Sequence, residues 1–169
     1  MKSPEKRMVV SGSLAYDLFF RYRGSIRDHF RGTDEEILRS LNFRAAGPEH
    51  RTGGCGGNVA LNLALMGIPV LLDSWIGGDG DCYLRSLSGA GVDVRAVHRS
   101  GDCATPTGIL VSDRNGEQII VFGEPANQPV WDLPSPEASD SPAAGGVAVV
   151  TALPPERFER IIPFLSSRG

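Results

Sequence analysis

Between residues 53 and 58 the chain reads Gly-Gly-Cys-Gly-Gly-Asn, then runs into Val59-Ala60-Leu61-Asn62-Leu63-Ala64-Leu65-Met66-Gly67. A stretch so poor in side chains lets a polar ligand approach the main chain closely, and the start of a helix offers it unpaired N–H groups. Leu61 with Leu65, and Gly57 with Ala60 and Ala64, recur at three-to-four-residue spacing, which predicts a helix that Gly67 stops. One face of that helix is small enough to pack tightly on a sheet.

The neighbouring segments predict the layers it packs against. Met8 to Ser11 reads as a buried first strand, with Asp17 just beyond its carboxyl end, where open α/β sheets place their ligands. Val70 to Trp75 reads as a second core strand and Asp81 to Ala90 as a second helix ended by Gly91. Phe19-Phe20-Arg21-Tyr22-Arg23 and Leu41-Asn42-Phe43-Arg44-Ala45 mix aromatic and basic residues in extended runs that suit exposed strands. Thr107 to Ser112 and Gln118 to Phe122 form a predicted hairpin, because Asn115-Gly116 favours the positive backbone angles of tight turns. Pro129 to Gly146, with four prolines among Ser, Asp and Ala, reads as a loop. A core strand over Gly146 to Thr151 and a helix over Pro154 to Ser167, weakened near its end by Pro163, follow.

Composition narrows the function. With 169 residues and 41% hydrophobic content the chain can bury a sizeable core. A net charge of -3, from 17 basic and 20 acidic residues spread along the chain, provides no cationic stripe and argues against nucleic acid. No apolar run approaches the ~20 residues needed to cross a bilayer, and no signal-type apolar core follows the charged N-terminus, so a cytoplasmic location without a membrane partner is expected. Cys55, Cys82 and Cys103 are odd in number and widely spaced, and His29, His50 and His98 are scattered. Neither a disulfide framework nor a metal site is expected.

Two other glycine-loop readings fail on context. Gly54-Cys55-Gly56 satisfies half of the dinucleotide fingerprint, but Val59 stands where the third glycine belongs, and polar Glu49-His50-Arg51-Thr52 precede the loop where a buried strand is required. A phosphate-binding loop of the Gly-Lys-Ser/Thr type is absent. Gly89-Ala90-Gly91-Val92-Asp93 reads as a helix stop followed by a strand, so Asp93 is not taken as a catalytic base.

Taken in order, Gly12-Ser13-Leu14-Ala15-Tyr16-Asp17, the run from Gly53 to Asn58, and Trp75-Ile76-Gly77-Gly78-Asp79-Gly80 resemble the N-terminal signatures of the ribokinase or PfkB-type carbohydrate kinases, in particular their adenosine-kinase-like members. The resemblance covers roughly Met8 to Asn127. It implies an α/β fold: a ribokinase-like, Rossmann-type sheet with helices on both faces and a small β lid, truncated before the ATP-binding half. Residues 1–127 would form the substrate-binding half, with lid strands at about 17–52; residues 128–146 would be a Pro-rich loop; residues 147–169 would continue the α/β domain.

The resemblance also implies site residues. Asp17 matches the family's sugar-binding Asp, and Gly53, Gly54 and Asn58 match its substrate-loop positions. A carboxylate that accepts from hydroxyls, and main chain bared by glycine, are suitable tools for holding an alcohol. The competing local readings are a turn residue for Asp17 and a helix cap for Asn58. Glu117 lies where some members place a substrate-contacting glutamate, with a solvated strand residue as the alternative. Asp79 matches a family motif, and capping the following helix also explains it. Cys55 replaces the lysine of ribokinase itself, so ribose is not implied.

Phosphoryl transfer also needs a base and groups that hold the migrating phosphate. The family supplies these through an Asn-x-x-Glu element associated with magnesium and a Gly-Ala-Gly-Asp loop, and neither stands in its expected place here. No residue is therefore assigned to catalysis or metal, and ATP and Mg are implied only for a complete enzyme. The expected function is the N-terminal part of an ATP-dependent kinase acting on a hydroxyl of a sugar or nucleoside, inactive as the isolated chain. The alternative is a truncated pseudo-kinase that serves as a sugar- or nucleoside-binding or dimerisation module. A shortened parallel sheet leaves an edge uncovered, which implies a homodimer through the lid or a complementing C-terminal half.

Overall fold

The computed structural model describes residues 7–30, 41–133 and 147–167, which form two compact units. The first takes its described residues from the ranges 1–15, 52–106 and 124–169, and the second from 16–51 and 107–123, so the chain passes between them four times.

The first unit is built on a five-stranded parallel sheet. Its strands are β1 (Met8–Ser11), β4 (Val70–Gly77), β5 (Val92–Asp93), β6 (Val97–Ser100) and β9 (Ala148–Val150), in the order β5-β4-β1-β9 with β6 also on β4. β1 pairs with β4 from Met8↔Val70 to Ser11↔Asp73, and with β9 from Val9↔Ala148 to Ser11↔Val150. Every residue of β4 is buried, as a central parallel strand requires, although Asp73 and Ser74 interrupt its apolar sequence. β5 takes the first residues of β4 and β6 the last, so two short strands share one edge. β6, with Arg99 and exposed His98 in a four-residue strand, carries no apolar pattern and was not expected from the sequence.

Helix α1 (Cys55–Leu65) ends as predicted. Gly67 at φ 77° donates to Ala64 O while Ile68 donates to Leu63 O, the paired bonds of a Schellman stop. Helix α2 (Asp81–Gly89) buries Tyr83, Leu84 and Leu87 and gives way to Gly91 at φ 95° and then to β5. This confirms the helix-stop reading of residues 89–93. Asp93 is tied to Arg7 and Arg95. Burial pulls its pKa up, but the Arg95 hydrogen bonds and the two guanidinium charges outweigh this and leave it below the ordinary aspartate value.

Residues 129–133 carry neither helix nor strand, in line with the loop expectation, yet they are anchored. Trp131 is only 5% exposed and lies in the core of this unit, so the proline-rich composition hides an anchored start. Residues 134–146 lie outside the described residues. Helix α3 (Pro155–Ser166) has Pro154 at its N-cap and continues through Pro163, burying Arg157 and Ile161.

The second unit is a four-stranded sheet, β3-β2-β7-β8, from β2 (Ala15–Arg21), β3 (Ala46–Gly53), β7 (Thr107–Ser112) and β8 (Gln118–Gly123). β2 and β7 run parallel, whereas β7 and β8 form the predicted antiparallel hairpin. At its turn only Gly116 takes a positive φ, 83°, and Asn115 does not. Asp113 does the organising: its buried carboxylate accepts the N–H groups of Ile26, Asn115 and Glu117 at 2.8, 2.7 and 2.9 Å. Burial raises the Asp113 pKa, but these backbone donors outweigh that and hold it below 3.8. A depressed acid stabilises the fold above its unfolded pKa and loses that contribution as pH falls through the folded value. Asp113→Ala is therefore expected to lower the melting temperature at pH 7, with the gap to wild type closing below pH 3.8. A gap that stays constant down to pH 2 in paired thermal melts would refute this.

One strand expectation is corrected here. Residues 41–45 are not a strand. Their place is taken by β3, whose first seven residues are exposed and which contains polar Glu49-His50-Arg51-Thr52. An exposed strand needs no apolar alternation, and Arg51 is held by Glu49 at 2.6 Å and by the face of Phe19 at 4.9 Å.

Candidate functional site

The glycine run proves to be mostly helix. Gly54 is the N-cap at φ 86° and α1 already begins at Cys55, so Gly56 and Gly57 occupy its first turn and are buried. They are small because other atoms need the space. A Cβ on Gly56 would lie 2.5 Å from the carbonyl carbon of Gly12, and one on Gly57 would collide with the Tyr83 hydroxyl. At Gly54 it would fall 2.5 Å from the Ser13 carbonyl oxygen. The N–H groups expected to face a ligand are also partly engaged: Cys55 donates to Ser13 Oγ at 3.2 Å and Gly57 to the Ser13 carbonyl at 3.2 Å. The glycines thus serve first to lay the helix start against the segment after β1. Gly53 is buried, and its carbonyl accepts the Tyr83 hydroxyl at 2.7 Å.

Asn58 stands on the exposed side of the same first turn. Its N–H donates to Gly54 O and its carbonyl accepts from Asn62, but its side-chain amide makes no hydrogen bond among the described residues. It does not cap the helix, since Gly54 occupies that position. Asp79 is not a cap either: the α2 N-cap is Gly80, and Asp79 Oδ1 accepts the Thr105 N–H at 2.9 Å and hydroxyl at 2.6 Å. Asp79 ties the turn after β4 to the segment ahead of β7.

In the second unit Asp17 lies inside β2, half-buried, and not in a turn beyond β1. Its carboxylate has no hydrogen-bond or ion-pair partner among the described residues, and burial raises its pKa above the ordinary value of 3.8. Glu117 is the opposite case. Its carboxylate accepts the Arg27 N–H at 3.2 Å and pairs with the Arg27 guanidinium at 2.7 Å, which makes it a brace between the hairpin and residue 27. His29 hydrogen bonds the Tyr22 hydroxyl at 2.8 Å beside Phe43, a contact the sequence did not indicate.

The structure therefore divides the predicted residues. Gly53, Gly54 and Asn58 belong to the helix-start region of the first unit, and Asp17, on β2, and Glu117, in the turn before β8, to the second. Asp17 and Asn58 present polar side-chain groups without partners among the described residues. A hollow of about 180 Å³ opens beside Trp131, with Pro129, Val130, Pro154 and Arg160 around it, and contains none of them. No group of three or more His, Cys, Asp or Glu able to hold a metal occurs among the described residues. No helix of the described residues is long and apolar enough to cross a membrane. The dinucleotide alternative also loses its context, because the strand leading into α1 is β3, which lies in the second sheet and outside the parallel one.

The sequence pattern of the pfkB family carbohydrate kinases matches residues 22–160, most of the chain. The chain belongs to the pfkB carbohydrate kinase family. Among pfkB relatives, a nucleoside kinase from Methanothermobacter thermautotrophicus is 32% identical over 124 residues, covering 71% of this chain and 36% of that protein. The solved nucleoside kinase from Burkholderia thailandensis, in complex with inosine, superposes with a TM-score of 0.60 at 26% identity, covering 69% of this chain and 36% of that one. A ribokinase from Cryptococcus neoformans, in complex with ADP, reaches a TM-score of 0.68 at 24% identity and matches 98% of this chain to 46% of its own, a likeness of fold. This pfkB chain thus spans from about a third to just under half the length of these relatives.

Proposed function

We propose that the chain is the acceptor-holding part of an ATP-dependent kinase that phosphorylates a hydroxyl of a sugar or nucleoside. The observation that carries this reading is the Asp17 carboxylate: half-buried, unpartnered among the described residues, and set in a pfkB-family chain. Removing an acid from water without compensation costs free energy, so such a group is best explained by a donor that arrives with a ligand. Vicinal hydroxyls are suitable donors. In this reading Asp17 of the second unit accepts them; in the first unit, taken by itself, the exposed Asn58 amide can both donate and accept, and Gly53 and Gly54 keep the helix start free of side chains. Glu117 has the weaker claim, because Arg27 already occupies it. ATP and Mg belong to the complete enzyme, consistent with the ADP held by the Cryptococcus ribokinase. No described residue is assigned to either, and the base that would accept the hydroxyl proton is not placed in this chain.

A binding or dimerisation module without phosphoryl transfer is the second reading. It is favoured by an apolar edge on the second sheet. β8, an edge strand with Ile120, Val121 and Phe122 exposed, is the surface that a lid-to-lid dimer would use.

Calorimetric titration of the chain with inosine, adenosine, ribose and fructose tests the primary reading. Asp17→Asn is expected to weaken the best of these about tenfold, the loss of a charge-assisted acceptor. The same change should stabilise the fold. Burial has raised the acid's pKa, so its charged form costs the folded state nothing below 3.8 and increasingly more as pH rises through the folded value. Asp17→Asn should accordingly melt higher than wild type at pH 7 and equally at pH 3. Unchanged acceptor affinity would remove Asp17 from its role.

A further inference from the structure

We infer that Gly108 is a positioning residue for the Asp17 carboxylate: because position 108 carries no side chain, the carboxylate can keep the orientation in which it accepts a substrate hydroxyl. The inference rests on the reading of Asp17 given above and adds a residue to it.

The argument starts from register. In the parallel pairing of β2 with β7, Asp17 stands opposite Gly108, and across the hairpin Gly108 stands opposite Phe122. The three form a row across the second sheet, with an acid at one end, a bare strand residue in the middle and a ring 73% exposed at the other end. A Cβ placed on Gly108 would lie 2.7 Å from Asp17 Oδ1, well inside van der Waals contact. Its next neighbours, Phe122 Cε1 at 3.4 Å and Leu110 Cδ1 at 3.5 Å, are at ordinary packing distance. The conflict is therefore with one group alone, the tip of a side chain that can rotate away.

No backbone reason calls for glycine here. Gly108 does not have a positive φ, and glycine in a strand interior weakens it by its extra unfolded-state freedom. Local stability therefore favours a side chain at 108. What glycine provides is space for the Asp17 oxygen. The burial that raises the Asp17 pKa fits the same picture of a carboxylate held close to the strand.

The test is a double-mutant cycle on the full chain, made from Gly108→Ala, Asp17→Ala and the pair, with melting and calorimetric titration of inosine as readouts. Gly108→Ala should melt no lower than wild type, because the displaced group is a rotatable side chain. It should bind inosine about tenfold more weakly. In the Asp17→Ala background the same substitution should change inosine affinity less than twofold, since no oxygen remains to be displaced. Equal weakening in both backgrounds, or a large fall in melting temperature, would overturn the inference and make Gly108 a structural residue.

If the wild-type chain binds none of inosine, adenosine, ribose or fructose, the substrate reading fails by itself. Gly108 is then judged on the unliganded chain, by the carbon-13 pH titration of the Asp17 carboxyl. A midpoint displaced by Gly108→Ala supports the positioning role, and an unmoved midpoint overturns it.

Discussion

Replacing Arg157 by methionine is expected to cost the fold about 3–5 kcal/mol, the penalty for leaving a buried charge without its partner. For a chain of this size that corresponds to a fall of roughly 6–20 °C in melting temperature. The charge left behind is Asp73, on the central strand β4 and 0% exposed. Arg157 Nη2 reaches both its oxygens, at 2.7 and 2.8 Å, the Ser11 hydroxyl donates at 2.5 Å and the Trp131 indole N–H donates at 3.2 Å. The guanidinium also donates to the Trp131 carbonyl at 2.9 Å and lies 4.5 Å over the Trp131 ring. One substitution thus removes an ion pair, a stacking partner and the link that ties α3 and residue 131 to the sheet.

Lysine should not rescue it, because a point ammonium cannot at once hold Asp73, donate to the Trp131 carbonyl and lie flat on the indole. Asp73→Asn added to Arg157→Met should recover a large part of the loss, since the pair is worth far less than the cost of breaking it from one side. Urea unfolding of the four proteins measures this. A single Arg157→Met variant within 1 kcal/mol of wild type would show that the network contributes little, by the ordinary scale of surface changes.

Gly56→Ala should destabilise the chain by about 3 kcal/mol, at the upper end of overpacking costs, because backbone meets backbone. The alanine Cβ would lie 2.5, 2.7 and 2.8 Å from the carbonyl carbon, Cα and oxygen of Gly12, atoms that have no rotamer to change. The sign is the informative part. Glycine to alanine in a helix ordinarily stabilises by roughly 0.5–1 kcal/mol. Gly89, in the last turn of α2 with nothing within 4 Å of a built Cβ, provides the control. Gly89→Ala should stabilise while Gly56→Ala destabilises, and thermal melts giving both the same sign would refute the packing account of the glycine run.

The difference between these glycines explains what was legible in the sequence. β4 and α1 were readable because burial on a parallel sheet favours a largely apolar run and a helix demands three-to-four spacing, patterns that survive in Val70 to Leu72 with Trp75 and in Leu61 with Leu65. The Gly67 and Gly91 stops were readable because a positive φ selects glycine directly. β3 was not readable, since an exposed strand held by Arg51 on Phe19 imposes no period on its polar residues. The roles of Asp79 and Trp131 were not readable for a related reason. Their partners, Thr105 for one and Asp73 with Arg157 for the other, lie 26 to 58 residues away, and no local pattern records a distant partner. The family was legible from motif order, whereas Gly108 was not, because its significance lies in a cross-strand neighbour.

The 84 residues that separate Asp73 from Arg157 also set a schedule for synthesis. At ordinary elongation rates the arginine follows the acid by about 4 to 17 seconds. Throughout that interval the emerging polypeptide holds a carboxylate at the centre of its future sheet with no cation to neutralise it. The nascent chain should keep β4 open and hydrated until α3 has left the ribosome, so final closure of the parallel layer waits for Arg157.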